Sequence, residues 1–303
     1  MKTRLFCLVL LIVGFSYGCR SKNVSSSGII NIDGIELSYT TEGTGRQCLI
    51  YGIPQYQMKA FSSTFKSHFQ CIFIDCRFND TSALVDTLSP FTIEAAVEEI
   101  EAIREALKLN KFILVGHSVL GIVVLEYTQH YPQYLSHVIA IGTMPEISKD
   151  QSILASNFWN DSASVKRKEW LNRNWVKLTK DSLSKLDPAD AFIARVIANA
   201  PRRSFDSTFN EGRLLAGQKY NIPVLNQLFG QDFYLLKDSI EIKPPVFLAM
   251  GKYDYGCPYF DWYKHLDMFN DITFQLFDYS GHVPHAEEAD KFDSLVIGWI
   301  EKK

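Results

Sequence analysis

The chain has 303 residues, 47% of them hydrophobic and 21% charged, with a formal net charge of −3. This is ample apolar side chain for a sizeable core, and the slight acidity leaves no basic footprint for nucleic acid. No Gly-rich phosphate loop occurs and no His, Cys, Asp or Glu group has metal-ligand spacing, so neither a cofactor nor a metal is expected.

Lys2 and Arg4 precede an apolar stretch over residues 5–15 and a small-residue segment Ser16-Tyr17-Gly18-Cys19. That is the layout of a secretory signal over residues 1–18, with an apolar core too short to span a bilayer. Glycine directly before Cys19 is similar to a bacterial lipoprotein signal, although Ser16 stands where such signals usually carry leucine. On that reading Cys19 becomes the lipidated first residue and ties the protein to the membrane of the cell envelope. A plain secretory signal, giving a secreted or periplasmic protein, is the alternative. Residues 19–28, ending in SKNVSSSG, read as a flexible tether. Cys7 leaves with the signal, while Cys48, Cys71, Cys76 and Cys257 remain. The first two of these sit in apolar runs and read as buried thiols, and spacing cannot assign a disulfide.

Residues 29–39 alternate around Asp33-Gly34, a hairpin signal, and residues 48–51 and 71–75 are further strands. Residues 92–109 form an amphipathic helix, with Ile93, Val97, Ile100, Ile103 and Leu107 on one face and charges opposite. Residues 112–115 are a short apolar strand running through Gly116-His117-Ser118 into a helix that stops at Tyr131-Pro132. Residues 136–141 are the next strand. From about 145 to 243 the alternation gives way to a polar, helical pattern containing Trp159, Trp170 and Trp175. Strand–turn character returns at residues 245–258, presenting Asp254. A helix-and-strand unit then leads to His282 on a loop, and a final helix over residues 287–303 carries Phe292, Leu295, Val296, Trp299 and Ile300. Alternating strands and helices predict an α/β fold with a mostly parallel sheet covered on both faces.

A strand feeding a helix through Gly-His-Ser is the context of a nucleophile elbow, whose tight turn lifts a serine hydroxyl clear of the backbone. Ser118, Asp254 and His282 follow in that order, each just past a candidate strand, at the edge where open α/β sheets build their sites. Asp261 and Asp278 are the rivals for the acid and His285 for the base. His117 is expected to pack against the sheet.

On these residues the chain resembles the α/β-hydrolase superfamily over nearly all of its mature length. The resemblance implies that Ser118 is the nucleophile, His282 its base and Asp254 the acid that orients the imidazole. It places the oxyanion hole at the backbone N–H groups of Val119 and Ile53, within Tyr51-Gly52-Ile53-Pro54, and matches Arg77 to a loop that follows the next strand. Leu120 stands where the family usually has a small residue, Tyr51 where it has histidine, and Phe78 and Asp80 where it has glycines. The hydrolase core is expected at residues 29–144 and 244–303, with a helical cap at 145–243. The insertion is loosely similar to that of proline iminopeptidases, whose cap carboxylates bind the substrate's α-amino group; Glu211, Asp206 and Asp232 are the candidates. The implied activity is serine-dependent cleavage of a small ester, lactone or amide, with a small-molecule or short-peptide substrate. An iminopeptidase-like aminopeptidase and a non-catalytic binding protein retaining the fold are the alternatives. Haloalkane dehalogenase and epoxide hydrolase chemistry are disfavoured, because both typically need aspartate at the elbow.

Overall fold

The computed structural model describes residues 25–32, 34–79, 90–206, 208–235 and 242–302. Cys19, the signal segment and Asp80 lie outside them.

Eight strands form one sheet: β1 (Ser26–Ile32), β2 (Ile35–Glu42), β3 (Arg46–Gly52), β4 (Phe69–Asp75), β5 (Phe112–His117), β6 (Leu135–Ile141), β9 (Val246–Gly251) and β10 (Ile272–Phe277). Their spatial order is β1-β2-β4-β3-β5-β6-β9-β10. The pairs β1/β2 and β2/β4 are antiparallel, and every later pairing is parallel. The central strands β5 (FILVGH) and β9 (VFLAMG) are buried at every residue. This is why they read as unbroken apolar runs: a parallel strand covered on both faces has no solvent side to alternate towards.

Successive side chains of each strand feed two separate cores. Leu49, Leu114, Val138 and Leu248 join the core beneath α3 (Ile93–Ala106) and α4 (Val119–His130). Ile50, Ile113, Ile139 and Phe247 join the other, beneath α2 (Ser63–His68) and α13 (Ala289–Glu301), with Phe65, Phe292, Val296 and Trp299. The short helices α1 (Pro54–Ala60) and α12 (Pro284–Glu287) follow β3 and the β10 loop.

Between β6 and β9 the described residues form seven helices: α5 (Lys149–Ser162), α6 (Val165–Val176), α7 (Lys180–Ser184), α8 (Pro188–Ala198), α9 (Ala200–Arg203), α10 (Glu211–Leu215) and α11 (Ile222–Phe229). A two-stranded ribbon, β7 (Glu146–Ile147) with β8 (Phe233–Tyr234), closes the base of this excursion. The starts of these helices are written locally. Ser148, Ser164, Thr179, Asp187, Asn210 and Asn221 are N-caps whose side chains accept from backbone N–H groups at 3.0–3.4 Å.

Three expectations are corrected. Ser26, Ser27 and Gly28, assigned to the tether, pair with Thr41, Thr40 and Tyr39 as the start of β1. An edge strand is held by backbone bonds and needs little apolar side chain, so its polar sequence concealed it. The helix expected after Asp254 is instead two 3₁₀ segments, Tyr259–Lys264 and Leu266–Met268, where Trp262 is anchored by a bond from its Nε1 to the Thr143 carbonyl at 2.9 Å. The charges of α3 are not all opposite its apolar stripe, since Glu99 is buried within it. Cys48, Cys71, Cys76 and Cys257 are all buried, free thiols.

Candidate active site

Ser118 is the hinge between β5 and α4, with φ 59° and ψ −132°. A non-glycine residue in this region stores roughly 1–3 kcal/mol of backbone strain and persists only where its surroundings impose it. Here they do. The Ser118 N–H donates to the Ile141 carbonyl at 2.9 Å, and its own carbonyl accepts from Gly121 N–H at 2.8 Å. A Cβ at Gly116 would lie 2.2 Å from the Leu120 carbonyl oxygen, and one at Gly121 would lie 2.6 Å from the Thr143 side chain. Both glycines are therefore required by close approach of the crossing chain.

Leu120, standing where the family usually has a small residue, is accommodated by a complementary absence: its Cδ1 would stand 2.9 Å from a Cβ at Gly52. Val119 opens α4, so its N–H has no intrahelical acceptor, and Ile53 is the extended N-cap residue of α1. Both line one cavity of about 250 Å³ with Ser118 and His282. The loop carrying Ile53 is fixed from below, as the Gly52 carbonyl accepts from Asn79 Nδ2 at 2.8 Å.

Tyr51 and Arg77 share one brace that the sequence did not reveal. The Tyr51 hydroxyl donates to Glu99 at 2.7 Å, and Arg77 Nε donates to its other oxygen at 2.7 Å. Burial raises the Glu99 carboxyl, with the Arg77 guanidinium opposing it. A carboxylate inside an otherwise apolar helical stripe was the available signal for this role.

Asp254 and His282 meet although 28 residues separate them, with Nδ1 of the imidazole 2.6 Å from Asp254 Oδ2. The second carboxylate oxygen accepts from the N–H groups of Gly256 and Cys257, each at 3.0 Å, so the turn after β9 fixes the acid. Asp254 is fully buried and His282 is 1% exposed. With Nδ1 committed to the carboxylate, the imidazole's other nitrogen, Nε2, is left without a hydrogen-bond partner among the described residues. The rivals lie elsewhere. Asp261 pairs with Lys264 at 3.0 Å and Asp278 with Lys252 at 3.1 Å, while His285 packs between Phe61 and Phe292 with neither ring nitrogen bonded among the described residues.

His117 does more than pack against the sheet. Its ring stands edge-on to His282, with centroids 4.7 Å apart, and its Nε2–H donates to the His282 carbonyl at 2.9 Å. Burial first, then the neighbouring His282, depresses it to about 3, so it is neutral with its proton on Nε2. The His282 loop is held further by segment 202–205. His282 N–H donates to the Arg203 carbonyl at 2.6 Å, and Tyr255 N–H to that of Arg202 at 2.9 Å. Glu287, unnoticed in the sequence, bridges the two: its two carboxyl oxygens accept from Gly281 N–H and from Phe205 N–H, both at 2.7 Å. From α6, Arg167 donates to the carbonyls of Pro201, Ser204 and Phe205 at 2.6–2.8 Å.

Of the three proposed amine-binding carboxylates, only Glu211 lines the cavity. Asp206 and Asp232 are exposed, and Asp206 is turned towards Thr208. Glu211 is buried and gripped by Arg203 through Nε at 2.7 Å and Nη2 at 2.9 Å. Burial alone pushes its carboxyl up, but the Arg203 guanidinium and the nearby histidines outweigh this and hold it at about 2. His117, Glu211 and His282 each offer a donor atom within 4.8 Å of the others, as do Asp254, Cys257 and His282. The first set joins β5, α10 and the loop after β10, and the second joins the turn after β9, which carries both Asp254 and Cys257, to that same loop, so spacing along the chain reveals neither set in full.

The fold finds its counterpart among known proteins. Residues 48–289 match the alpha/beta hydrolase fold family, and the chain belongs to it. It is 28% identical over 280 residues to the AB hydrolase superfamily protein YclE of Bacillus subtilis (strain 168), covering 91% of this chain and 99% of that one. An alpha/beta fold family hydrolase from Bacillus anthracis str. Sterne superposes with a TM-score of 0.63 at 22% identity, over 90% of this chain and 99% of that one. A proline iminopeptidase from Mycobacterium smegmatis does so with 0.65 at 16%, over 91% and 98%. At these identities the structural likenesses establish the fold.

Proposed function

We propose that the protein is a serine hydrolase that cleaves a small ester, lactone or amide with an apolar acyl part through a covalent acyl-enzyme. The observation that carries this reading is the His282–Asp254 pair at 2.6 Å, whose remaining imidazole nitrogen is buried without a partner in the cavity that Ser118 lines. A serine hydroxyl needs an adjacent base to attack at neutral pH. His282 Nε2 takes the Ser118 proton as Oγ adds to the acyl carbon, and Asp254 holds the tautomer and stabilises the imidazolium. The N–H groups of Val119 and Ile53 receive the oxyanion. His282 then returns the proton to the leaving alkoxide or amine, and water repeats the cycle to free the acid. The helices α5–α11 act as a cap that shapes the cavity and excludes water. A lipidated Cys19 anchors the enzyme at the bacterial envelope.

The aminopeptidase reading is less well supported. An α-ammonium group seeks an available carboxylate, and Glu211 is already neutralised by Arg203. Labelling with a fluorophosphonate probe tests the proposal. Wild-type protein should label, and Ser118→Ala and His282→Ala should not; a folded wild-type protein that resists the probe would favour the non-catalytic alternative.

A further inference from the structure

The cavity wall is apolar through Phe78, Leu120, Met144, Phe192, Leu225 and Phe229, yet it is not apolar throughout. Besides the proposed catalytic residues it includes the Arg203–Glu211 pair, the Tyr56 hydroxyl directed at Glu211 from 3.4 Å, and two further side chains, Gln57 and Tyr220. Gln57 is 3% exposed and Tyr220 is 5% exposed. The side-chain carbonyl of Gln57 and the hydroxyl of Tyr220 are buried with no hydrogen-bond partner among the described residues. Buried polar atoms are bonded in the great majority of cases, and each exception needs an explanation. Neither atom has a part in the proposed mechanism. Both belong to residues lining the cavity that Ser118 and His282 also line.

The chemistry of the missing partner follows from charge. Arg203 and Glu211 cancel each other through two hydrogen bonds, so these polar lining residues carry no net charge. A substrate carboxylate brought here would meet Glu211, and a substrate ammonium would meet Arg203. A neutral hydroxyl meets neither penalty: its proton can go to the Gln57 carbonyl while its oxygen accepts from Tyr220.

We propose that Gln57 and Tyr220 form a subsite for a neutral hydroxyl on the substrate's acyl portion, making a hydroxyacyl ester or lactone the preferred substrate. This rests on the hydrolase reading above and narrows its substrate class. Hydrolysis of such an ester breaks the acyl C–O bond, forms the Ser118 ester with release of the alcohol, and ends in water addition that frees a hydroxy acid. The substrate hydroxyl is bound throughout and undergoes no change.

The test compares p-nitrophenyl hexanoate with hexanoates hydroxylated at successive chain carbons. At least one hydroxylated ester should exceed the plain ester in kcat/KM by about tenfold or more, since a site built to bond a hydroxyl discriminates against substrates lacking it. In Tyr220→Phe and Gln57→Leu that ratio should fall towards one. The ratio cancels any general loss of activity in the variants. Equal rates for plain and hydroxylated esters at every position, or a ratio unmoved by both substitutions, would overturn the subsite. Calorimetric binding of the same esters to Ser118→Ala separates this from the catalytic reading. A hydroxyl preference in binding alongside failed fluorophosphonate labelling would keep the subsite and reject the nucleophile. Absence of any preference in binding would reject the subsite whatever the labelling shows. Tyr220→Phe should also melt no lower than wild type in the absence of ligand, because it deletes a hydroxyl that bonds nothing among the described residues; a marked drop would mean that the hydroxyl has a structural partner.

Discussion

At Ser118 the backbone and the proposed chemistry impose opposite demands. Its φ of 59° is a conformation that an L-residue avoids, while the hydroxyl requires an L-residue. Ser118→Gly should therefore gain about 1 kcal/mol in denaturant unfolding by relieving strain, and Ser118→Ala should leave stability nearly unchanged. Both should lose turnover, and retained turnover in either would remove Ser118 from the mechanism. Glu287 carries the second residue-level prediction. Burial, with Glu211 and Asp254 adding to it, raises its carboxyl to about 8, against the pull of the Gly281 and Phe205 N–H groups. Between the ordinary value of 4.5 and about 8 the folded state holds a proton that the unfolded chain has released. Stability contributed by this group is thus complete below about pH 4.5 and is lost as pH rises through about 8. Melting temperatures taken across about pH 5 to 9 should decline in wild type and decline less in Glu287→Gln; parallel curves would show that another group sets the slope. Ser118, Asp254 and His282 were legible because each sits just past a strand in a recognisable local pattern. Glu99, Arg203, Glu287 and Tyr220 were not, because their partners come from elements remote in sequence and a lone charged or phenolic residue carries no local signature.

Among the elements, the helical excursion between β6 and β9 holds the loop of the proposed base through a backbone hydrogen bond. Segment 202–205 supplies the carbonyl that binds His282 N–H, and that segment is itself gripped by Arg167 of α6 through three carbonyls. Arg167→Met keeps the aliphatic stem and removes all three donors. It should cost roughly 2 kcal/mol or more in chemical denaturation, since partly buried carbonyls lose their partners. It should also lower kcat more than it raises KM, because the loosened segment bears on the base and not on the cavity's apolar wall. An unchanged kcat with lowered stability would confine Arg167 to a structural role. Here the sequence was only partly legible. The N-caps Ser148, Ser164, Thr179 and Asp187 mark helix starts within a few residues, whereas the order in which short helices pack has no counterpart in periodicity. The 3₁₀ segments after Asp254 show the same limit: tertiary bonds such as Trp262 to Thr143 override a pattern that reads equally well as one helix.

For the whole molecule, the alternation of apolar runs and amphipathic helices was sufficient to predict the parallel sheet, because strands buried on both faces and helices with one apolar stripe have few other ways to pack. Where the molecule resides is a separate matter, carried on the proposed reading by residues 1–18 and Cys19. No helix among the described residues is long and apolar enough to cross a membrane. Attachment on the proposed reading is through acyl chains at Cys19, with each buried CH₂ contributing about 0.8 kcal/mol. A diacylated or triacylated cysteine passes well beyond the marginal binding of one chain, so removal of the thiol should convert a membrane-bound protein into a released one with no intermediate partition. Expressed in a bacterial host, wild-type protein should sediment with membranes and resist high salt, whereas Cys19→Ala should appear in the soluble fraction with its fluorophosphonate labelling intact. Retention of the variant on membranes would assign the attachment to the folded domain. Release of both proteins would favour the plain secretory signal.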